Sequence, residues 1–402
     1  MNNLINKIFG FIRNESLSIS PKTKPLAAVQ IGEKWGYIDT TGKIVVQPQF
    51  DCAYAFNESG LALVEKDGKI GWIDCTGKFI IEPRYIAVHD VYDKPWNFSF
   101  DLAPVGFGSI SDCKYGYIDI SGKIVIKPLF NEARGFVDNG LAAVNVGDGR
   151  NDKWGYIDTT GNFVIQPQFE WADDFQYGIA RVEVEDKWGF INASGMFVCE
   201  PQFDNAEYFV KDGLAPVNIG GKWGYVDTAG KIVVEPQFYS VDDYCYGLAR
   251  VILADEGHKC GYIDTSGKMV INPLFEEAVC FRGNGLAPIK MESDGKWGFI
   301  DRTGKIIVEP QFDDIGFEGN GLTPVKVGEK WGYMDDTGHL RISPQFDSAS
   351  YFNESGLAPV MFGNYEHRKW GYIDTTGKIV VEPQFEEADY FPNTISYSFA
   401  SK

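Results

Sequence analysis

Histidine is nearly missing from this 402-residue chain: His89, His258, His339 and His367 are scattered through separate stretches. Without a second imidazole at ligand or acid–base spacing, zinc hydrolysis and histidine-based catalysis have no foothold. Cysteine is sparse too. Cys52, Cys75, Cys113, Cys199, Cys245, Cys260 and Cys280 form an odd set with no C-x-x-C step. That excludes a zinc ribbon and reads as free thiols in a reducing, cytoplasmic compartment. No apolar run reaches the roughly eighteen residues of an integral membrane segment. Basic charge is in the minority, 37 Lys and Arg against 56 Asp and Glu, and the resulting net charge of −19 repels phosphate backbones, so nucleic acid is a poor partner.

Sequence signatures of catalysis are also missing. The chain holds no H-E-x-x-H, no G-x-S-x-G, no Walker-type G-x-x-x-x-G-K-[ST], and no G-x-G-x-x-G after a strand. No cofactor or metal is implied, and the chain reads as no enzyme. At the N-terminus, an apolar stretch broken by Gly10 and closed by Arg13 is too short for the core of a signal peptide. Leu4, Ile5, Ile8, Phe9 and Ile12 share one helical face, so residues 1–23 are expected to form an amphipathic cap. The polar face carries only Lys7 and Arg13, which favours a cap over a membrane-surface anchor.

What the chain does contain is one segment many times over. Lys34-Trp35-Gly36-Tyr37-Ile38-Asp39-Thr40-Thr41-Gly42-Lys43-Ile44-Val45-Val46-Gln47-Pro48-Gln49-Phe50 recurs with its first glycine at Gly36, Gly71, Gly116, Gly155, Gly189, Gly224, Gly261, Gly298, Gly332 and Gly371. An L-A-x-V element precedes each frame, and F-[DEN]-x-A, often with an aromatic three residues on, follows it, as in Phe203, Ala206 and Phe209. Residues 24–402 are therefore expected to be one continuous array of about ten units.

The K-W-G-Y-I-D segment resembles the WG-repeat family, named for its Trp-Gly step, over nearly the whole span from Leu26 to Phe391. The resemblance implies an all-β protein of a mainly bacterial family. Ile70 with Trp72, Tyr115 and Cys260 depart from the first-position tryptophan, and Asn192 departs from the aspartate, so these units are expected to be the softest.

Residue chemistry leads to the same class. Alternation puts Trp35 and Tyr37 on one face of a strand, with Gly36 opposite to let a neighbouring sheet approach. Asp39 to Gly42 suits a turn, since aspartate accepts local backbone hydrogen bonds and glycine takes positive φ. The recurring aspartates are thus turn-formers, one carboxylate beside a lysine being too few oxygens for calcium. Pro48 closes the following strand. The third L-A-x-V position holds proline in five units but Arg181 and Arg250 in two, so it faces an open edge or solvent. Each unit reads as a three-stranded antiparallel meander with one free edge, and the F-x-x-A-x-x-F spacing suits a helical turn or packed corner. Both sheet faces are apolar, which requires stacking face to face in a propeller-like or open superhelical arrangement. The last unit shows no borrowed strand to seal a ring, which inclines the reading to the open stack. Arg341, where other units have valine or isoleucine, either pairs with an acid or lies on an exposed face.

Units differ mainly in their linkers before K-W-G, long at Gly106 to Cys113, Asn145 to Asp152, Ile252 to His258 and Met361 to Arg368, and in the insertion between Ile86 and Lys114. Such insertions collect on one face of a repeat array, and that face commonly binds. The expected function is a non-catalytic scaffold for protein–protein interaction, with Trp96, Phe98, Phe107, Tyr365 and His367 as partner-binding residues. The alternative is a carbohydrate or cell-envelope binder using exposed aromatics; the repeated tryptophans themselves are expected in the core.

Overall fold

The computed structural model describes residues 25–57, 59–87, 98–109, 112–149, 151–253, 257–364 and 367–391. The N-terminal segment 1–23 lies outside them. Every regular element among the described residues is a β-strand. No helix there is long and apolar enough to cross a membrane.

Ten small antiparallel sheets follow one another as the blades of a propeller. The sixth shows the pattern: a two-residue strand Asn205–Ala206, then Leu214–Ile219, Lys222–Asp227 and Ile232–Phe238, hydrogen-bonded in that order. The expected meander is present, but the F-x-x-A segment is a short fourth strand rather than a helical turn. Ala206 pairs with Val217 of the next L-A-x-V element, so each frame donates its tail to the following blade. In the third blade this strand shrinks to one bridge, Ile86 to Gly106.

The Trp-Gly step is explained within the sheet. Trp223 pairs with Phe238 and Tyr225 with Val234, so Glu235, Pro236 and Gln237 on the outer strand oppose the single Gly224. The outer strand bulges over that glycine. A Cβ there would lie 2.3 Å from the Val234 carbonyl oxygen and 2.7 Å from the Pro236 nitrogen, and the equivalent glycines show nearest approaches up to 2.8 Å. The close neighbour is therefore the outer strand of the same blade, not an adjacent sheet, and any side chain would force the bulge apart.

At the next corner the turn reading holds. Asp39 Oδ1 accepts hydrogen bonds from Thr41 N at 2.9 Å, the Thr41 hydroxyl at 2.5 Å and Lys43 N at 3.2 Å, while Gly42 takes φ 83°. Asn192 accepts the same set from Ser194 and Met196, so its unit keeps an equivalent turn. At Asp158, Asp264, Asp301, Asp335 and Asp374 the hydroxyl bond from the Ser or Thr two residues on is the main influence holding the carboxyl below its usual range, down to about 2 at Asp335. Arg341 satisfies both of its expectations: it pairs with Asp335 at 2.7 Å and its side chain is 65% exposed.

Blades stack through alternate residues. Leu26, Ala28, Tyr37, Val46 and Phe50 of blade 1 pack on Ala62, Val64 and Ile73 of blade 2. A buried aromatic is the centre of each interface: Tyr37, Tyr117, Tyr156, Tyr225, Tyr262, Tyr333 and Tyr372 in seven blades, and Trp72, Phe190 and Phe299 in the other three. The tyrosine hydroxyl donates to a carbonyl in the next blade's corner, as from Tyr225 to Asp242 at 2.6 Å and Tyr333 to Ser350 at 2.8 Å. An aromatic from that corner packs on the tyrosine ring: Tyr244 on Tyr225 at 4.7 Å, Phe352 on Tyr333 at 4.8 Å. The tryptophan is placed differently from expectation. Trp154 is buried, but Trp35, Trp188, Trp223, Trp297, Trp331 and Trp370 are only half-buried at the blade margin.

The array is closed, which corrects the inclination to an open stack. Glu387–Ala388, the tail of the last frame, pairs with Val29 and Gln30 of the first blade. Glu386 N and Asp389 N donate to the Gln30 and Ala28 carbonyls at 3.0 and 2.9 Å. Behind this seam Ala27, Val29 and Ile38 pack on Tyr372, Val381 and Phe385 of blade 10. The borrowed strand went unseen because it is the same F-x-x-A that every unit carries.

Two outcomes test these contacts. In chemical denaturation Tyr225→Ala is expected to cost about 3–5 kcal/mol and Trp223→Ala about 1–2 kcal/mol; the reverse order would place the interface centre on tryptophan. For the turns, the folded carboxyl values lie below the unfolded value of about 3.9. Their stabilisation is therefore complete above pH ~4 and lost as pH falls towards 2. Stability should decline over that window, and less steeply in Asp335→Asn; superimposable pH profiles for the two proteins would contradict the turn account.

Candidate functional site: an aromatic rim around the axis

Within each blade the chain climbs from the short strand through the corner and turns into the L-A-x-V strand. Residues of these corners from several blades meet around shared cavities, which places them nearest the ring axis. One cavity of about 400 Å³ is lined by Glu318, Tyr351, Asp389, Tyr390 and Ala55, drawn from blades 9, 10, 1 and 2. Tyr351 and Tyr390 stack there, with ring centroids 4.3 Å apart and planes 21° apart. A second, of about 420 Å³, is lined by Glu207, Tyr208, Asp242, Asp243, Cys245 and Cys280 from blades 6, 7 and 8. Burial, with the neighbouring Glu207 and Asp242 carboxylates, pushes the Asp243 carboxyl up.

Between these cavities the wall is filled by a charged network. Asp173, 1% exposed, accepts from Arg134 at 3.1 Å, Arg181 at 2.7 Å and Trp171 Nε1 at 2.8 Å. The Arg134 guanidinium lies 5.0 Å from the Trp154 ring, and that of Arg181 lies 4.2 Å from the Trp188 ring. The third L-A-x-V position thus faces the corner, where Arg181 meets Asp173 and Arg250 meets Asp242 at 2.6 and 2.5 Å. Buried cations matched in this way serve packing, since removing either partner strands a charge.

Above the corners the turn into the L-A-x-V strand has two forms. In blade 6 three residues, Lys211, Asp212 and Gly213, close it, Gly213 N donating to Val210 O at 2.8 Å. In blades 3, 5, 7 and 9 only two residues do, and both take positive φ: Phe100 and Asp101, Tyr177 and Gly178, Tyr246 and Gly247, Asn320 and Gly321. Such tight hairpins favour Asn-Gly, as in blade 9, because left-handed backbone costs a bulky residue roughly 1–2 kcal/mol. Three aromatics nonetheless occupy it and face solvent, Phe100 at 50%, Tyr177 at 57% and Tyr246 at 63% exposure. Blade 9 supplies a fourth by another route. Its corner aromatic comes one residue early, at Phe317 instead of the position of Glu318, and is left 79% exposed. Every second blade from 3 to 9 therefore presents one aromatic on the same rim.

The residues expected from sequence lie elsewhere. Phe98 is the corner aromatic of blade 3 and packs on Trp72 at 5.0 Å. Phe107 packs edge-on against Tyr85 at 5.3 Å, and both belong to the cluster between blades 2 and 3. His367 is exposed in a turn closed on Asn364. Trp96 and Tyr365 lie outside the described residues. The long linkers do share the opposite face, where Leu102–Ser109 and Asp112–Asp119 extend one hairpin and pairs such as Lys187 with Asp204 and Lys369 with Glu386, at 2.5 and 2.6 Å, fasten the blade ends. The rim itself left a trace in spacing. Nine residues instead of ten lie between Phe169 and Ile179, Phe238 and Leu248, and Phe312 and Leu322.

Comparison with solved structures shows the fold. A crystal structure of the eukaryotic initiation factor aligns over 91% of this chain and 97% of its own, with TM-score 0.52 and 11% identity. Kluyveromyces lactis Hsv2p aligns over 64% of this chain and 97% of its own, with TM-score 0.35 and 9% identity. The extracellular domain of the hybrid two-component system BT4673 from B. thetaiotaomicron aligns over 89% and 64%, with TM-score 0.30 and 8% identity. No curated protein matches by sequence. The WG containing repeat matches residues 35–69, 115–149, 154–188, 188–223, 223–254, 261–297, 297–331, 331–365 and 370–393. Only the stretch holding Ile70 and Trp72 is passed over, and it folds as a blade all the same. The chain belongs to the WG-repeat family.

Proposed function

We propose that this ring is a non-catalytic, cytoplasmic scaffold that binds another protein across its aromatic rim. The observation that carries the reading is the placement of Phe100, Tyr177 and Tyr246 at left-handed backbone positions, exposed, where asparagine would serve the fold better. Strain kept on solvent-facing aromatics is consistent with a role outside folding. Rigid aromatics that bury large area at little entropic cost are the usual anchors of a protein interface. Acidic neighbours around the axis, Glu207, Asp242, Asp243, Glu318 and Asp389, favour a partner segment with basic residues beside its apolar ones. Flat hydroxyl-bearing rings at Tyr177 and Tyr246 give a carbohydrate ligand as the second reading.

The test replaces the rim without disturbing the blades, as Tyr177→Asn, Tyr246→Asn and Phe317→Ser together. Each asparagine should raise stability by about 0.5–1 kcal/mol, because it relieves the left-handed strain. Proteins retained from native lysate by the wild-type ring should be lost in the triple variant. Unchanged retention would contradict the rim as the binding surface, and loss of binding to a glycan array without loss of any protein would favour the carbohydrate reading.

A further inference from the structure

Two of the seven cysteines, 35 residues apart in sequence, are brought to one cavity by the packing of adjacent blades. Cys245 ends the corner of blade 7, pinned by paired backbone bonds with Leu248 at 2.9 and 3.3 Å. Cys280 sits in the corner of blade 8, just past Val279, whose N–H donates to Pro288 O at 3.0 Å. Both line the cavity shared by blades 6 to 8, one on each side of the blade boundary, and each thiol is the main influence on the other's titration. Nothing in the packing requires sulfur here: the equivalent of Cys280 is Tyr351 in one blade and Tyr390 in another.

We propose that Cys245 and Cys280 form a reactive dithiol site, which a low-molecular-weight disulfide converts to a cystine bridging blades 7 and 8.

The chemistry is a two-step exchange. The Cys280 thiolate attacks one sulfur of the reagent, a new S–S bond forms, the reagent's own S–S bond breaks, and one small thiolate leaves and takes up a proton. Cys245, on losing its proton, then attacks the Cys280 sulfur and expels the second small thiol. Two electrons and two protons pass from the protein thiols to the reagent, which leaves as two thiols.

The surroundings assign the roles. The Cys245 thiol draws the Cys280 thiol down to about 7, against burial and the Asp242 carboxylate, with help from the Arg282 guanidinium. Cys280 in turn, with burial and the Asp242 and Asp243 carboxylates, pushes Cys245 up. Cys280 is thereby the attacking thiol and Cys245 the resolving one. The other charges at the cavity are Glu207 on its wall, Arg250, which neutralises Asp242, and Glu318 near Arg282. Cys52 and Cys199 are pushed up by burial, so they compete poorly for the same reagent.

The experiment treats the intact protein with oxidised glutathione between pH 5.5 and 8.5, blocks residual thiols with iodoacetamide, and maps peptides by mass spectrometry. The expected product is a Cys245–Cys280 cross-linked peptide, forming at least tenfold faster than adducts at Cys52 or Cys199, with a rate midpoint near pH 7. Cys245→Ser should stop at a stable glutathione adduct on Cys280, and Cys280→Ser should lose the fast reaction while keeping the circular dichroism of the native ring. Absence of the cross-link in the folded wild-type protein, or labelling of Cys280 no faster than Cys52, would overturn the proposal.

Discussion

Each blade depends on a close approach between backbone and backbone. The outer strand places three residues, the middle one proline, against a single glycine, and at 2.3 to 2.8 Å from where a Cβ would stand there is room for hydrogen alone. The bulge bends the outer strand inward and brings its final phenylalanine opposite the tryptophan. That bend also removes a regular ladder from the blade's outer edge, where proline already withholds a donor. The tryptophan is then a half-buried cover at the blade margin. The Trp-Gly pair is therefore a statement about one sheet, while the stacking of sheets rests on the tyrosine two residues later.

That tyrosine, replaced by Trp72, Phe190 and Phe299 in three blades, turns ten small sheets into one ring. Its ring fills the interface, its hydroxyl ties the next blade's corner, and the corner's aromatic closes over it. Because the corner belongs to the following blade, every interface is crossed by covalent chain and by the short strand or its single bridge, and seven of the ten by the tyrosine bond as well. The first blade has no preceding frame, and Glu387–Ala388 comes round to fill the place. Closure thus repeats at the termini what every other interface does.

The local chemistry of this fold was legible and its phase was not. Strand alternation, the Asp39-type turn and the proline stop are each decided within a few residues, and all appear where the sequence puts them. Ala206 could be read only as part of a spacing, because its partner Val217 lies beyond a corner whose path depends on the neighbouring blade. Trp35 and Tyr37 share a strand face, so alternation does not tell which of them the neighbour covers. For the site, Phe98 and Phe107 stood out as apolar residues beside an insertion, yet their neighbours Trp72 and Tyr85 lie on another blade. Tyr177, Tyr246 and Phe317 were hidden inside a repeat that looked regular, betrayed only by a spacing shorter by one residue. Cys245 and Cys280 meet solely because their blades are adjacent.

Substitution of the blade-6 glycine tests the governing contact by its sign. A strand glycine with ordinary φ and free space gains about 0.4–1 kcal/mol on replacement by alanine, through the unfolded chain. At Gly224 the added methyl would meet the Val234 carbonyl oxygen at 2.3 Å, and overpacking of that kind costs about 1–3 kcal/mol. Chemical denaturation of Gly224→Ala should therefore show a loss of stability in that range, whereas stability equal to or above that of the native protein would contradict the account.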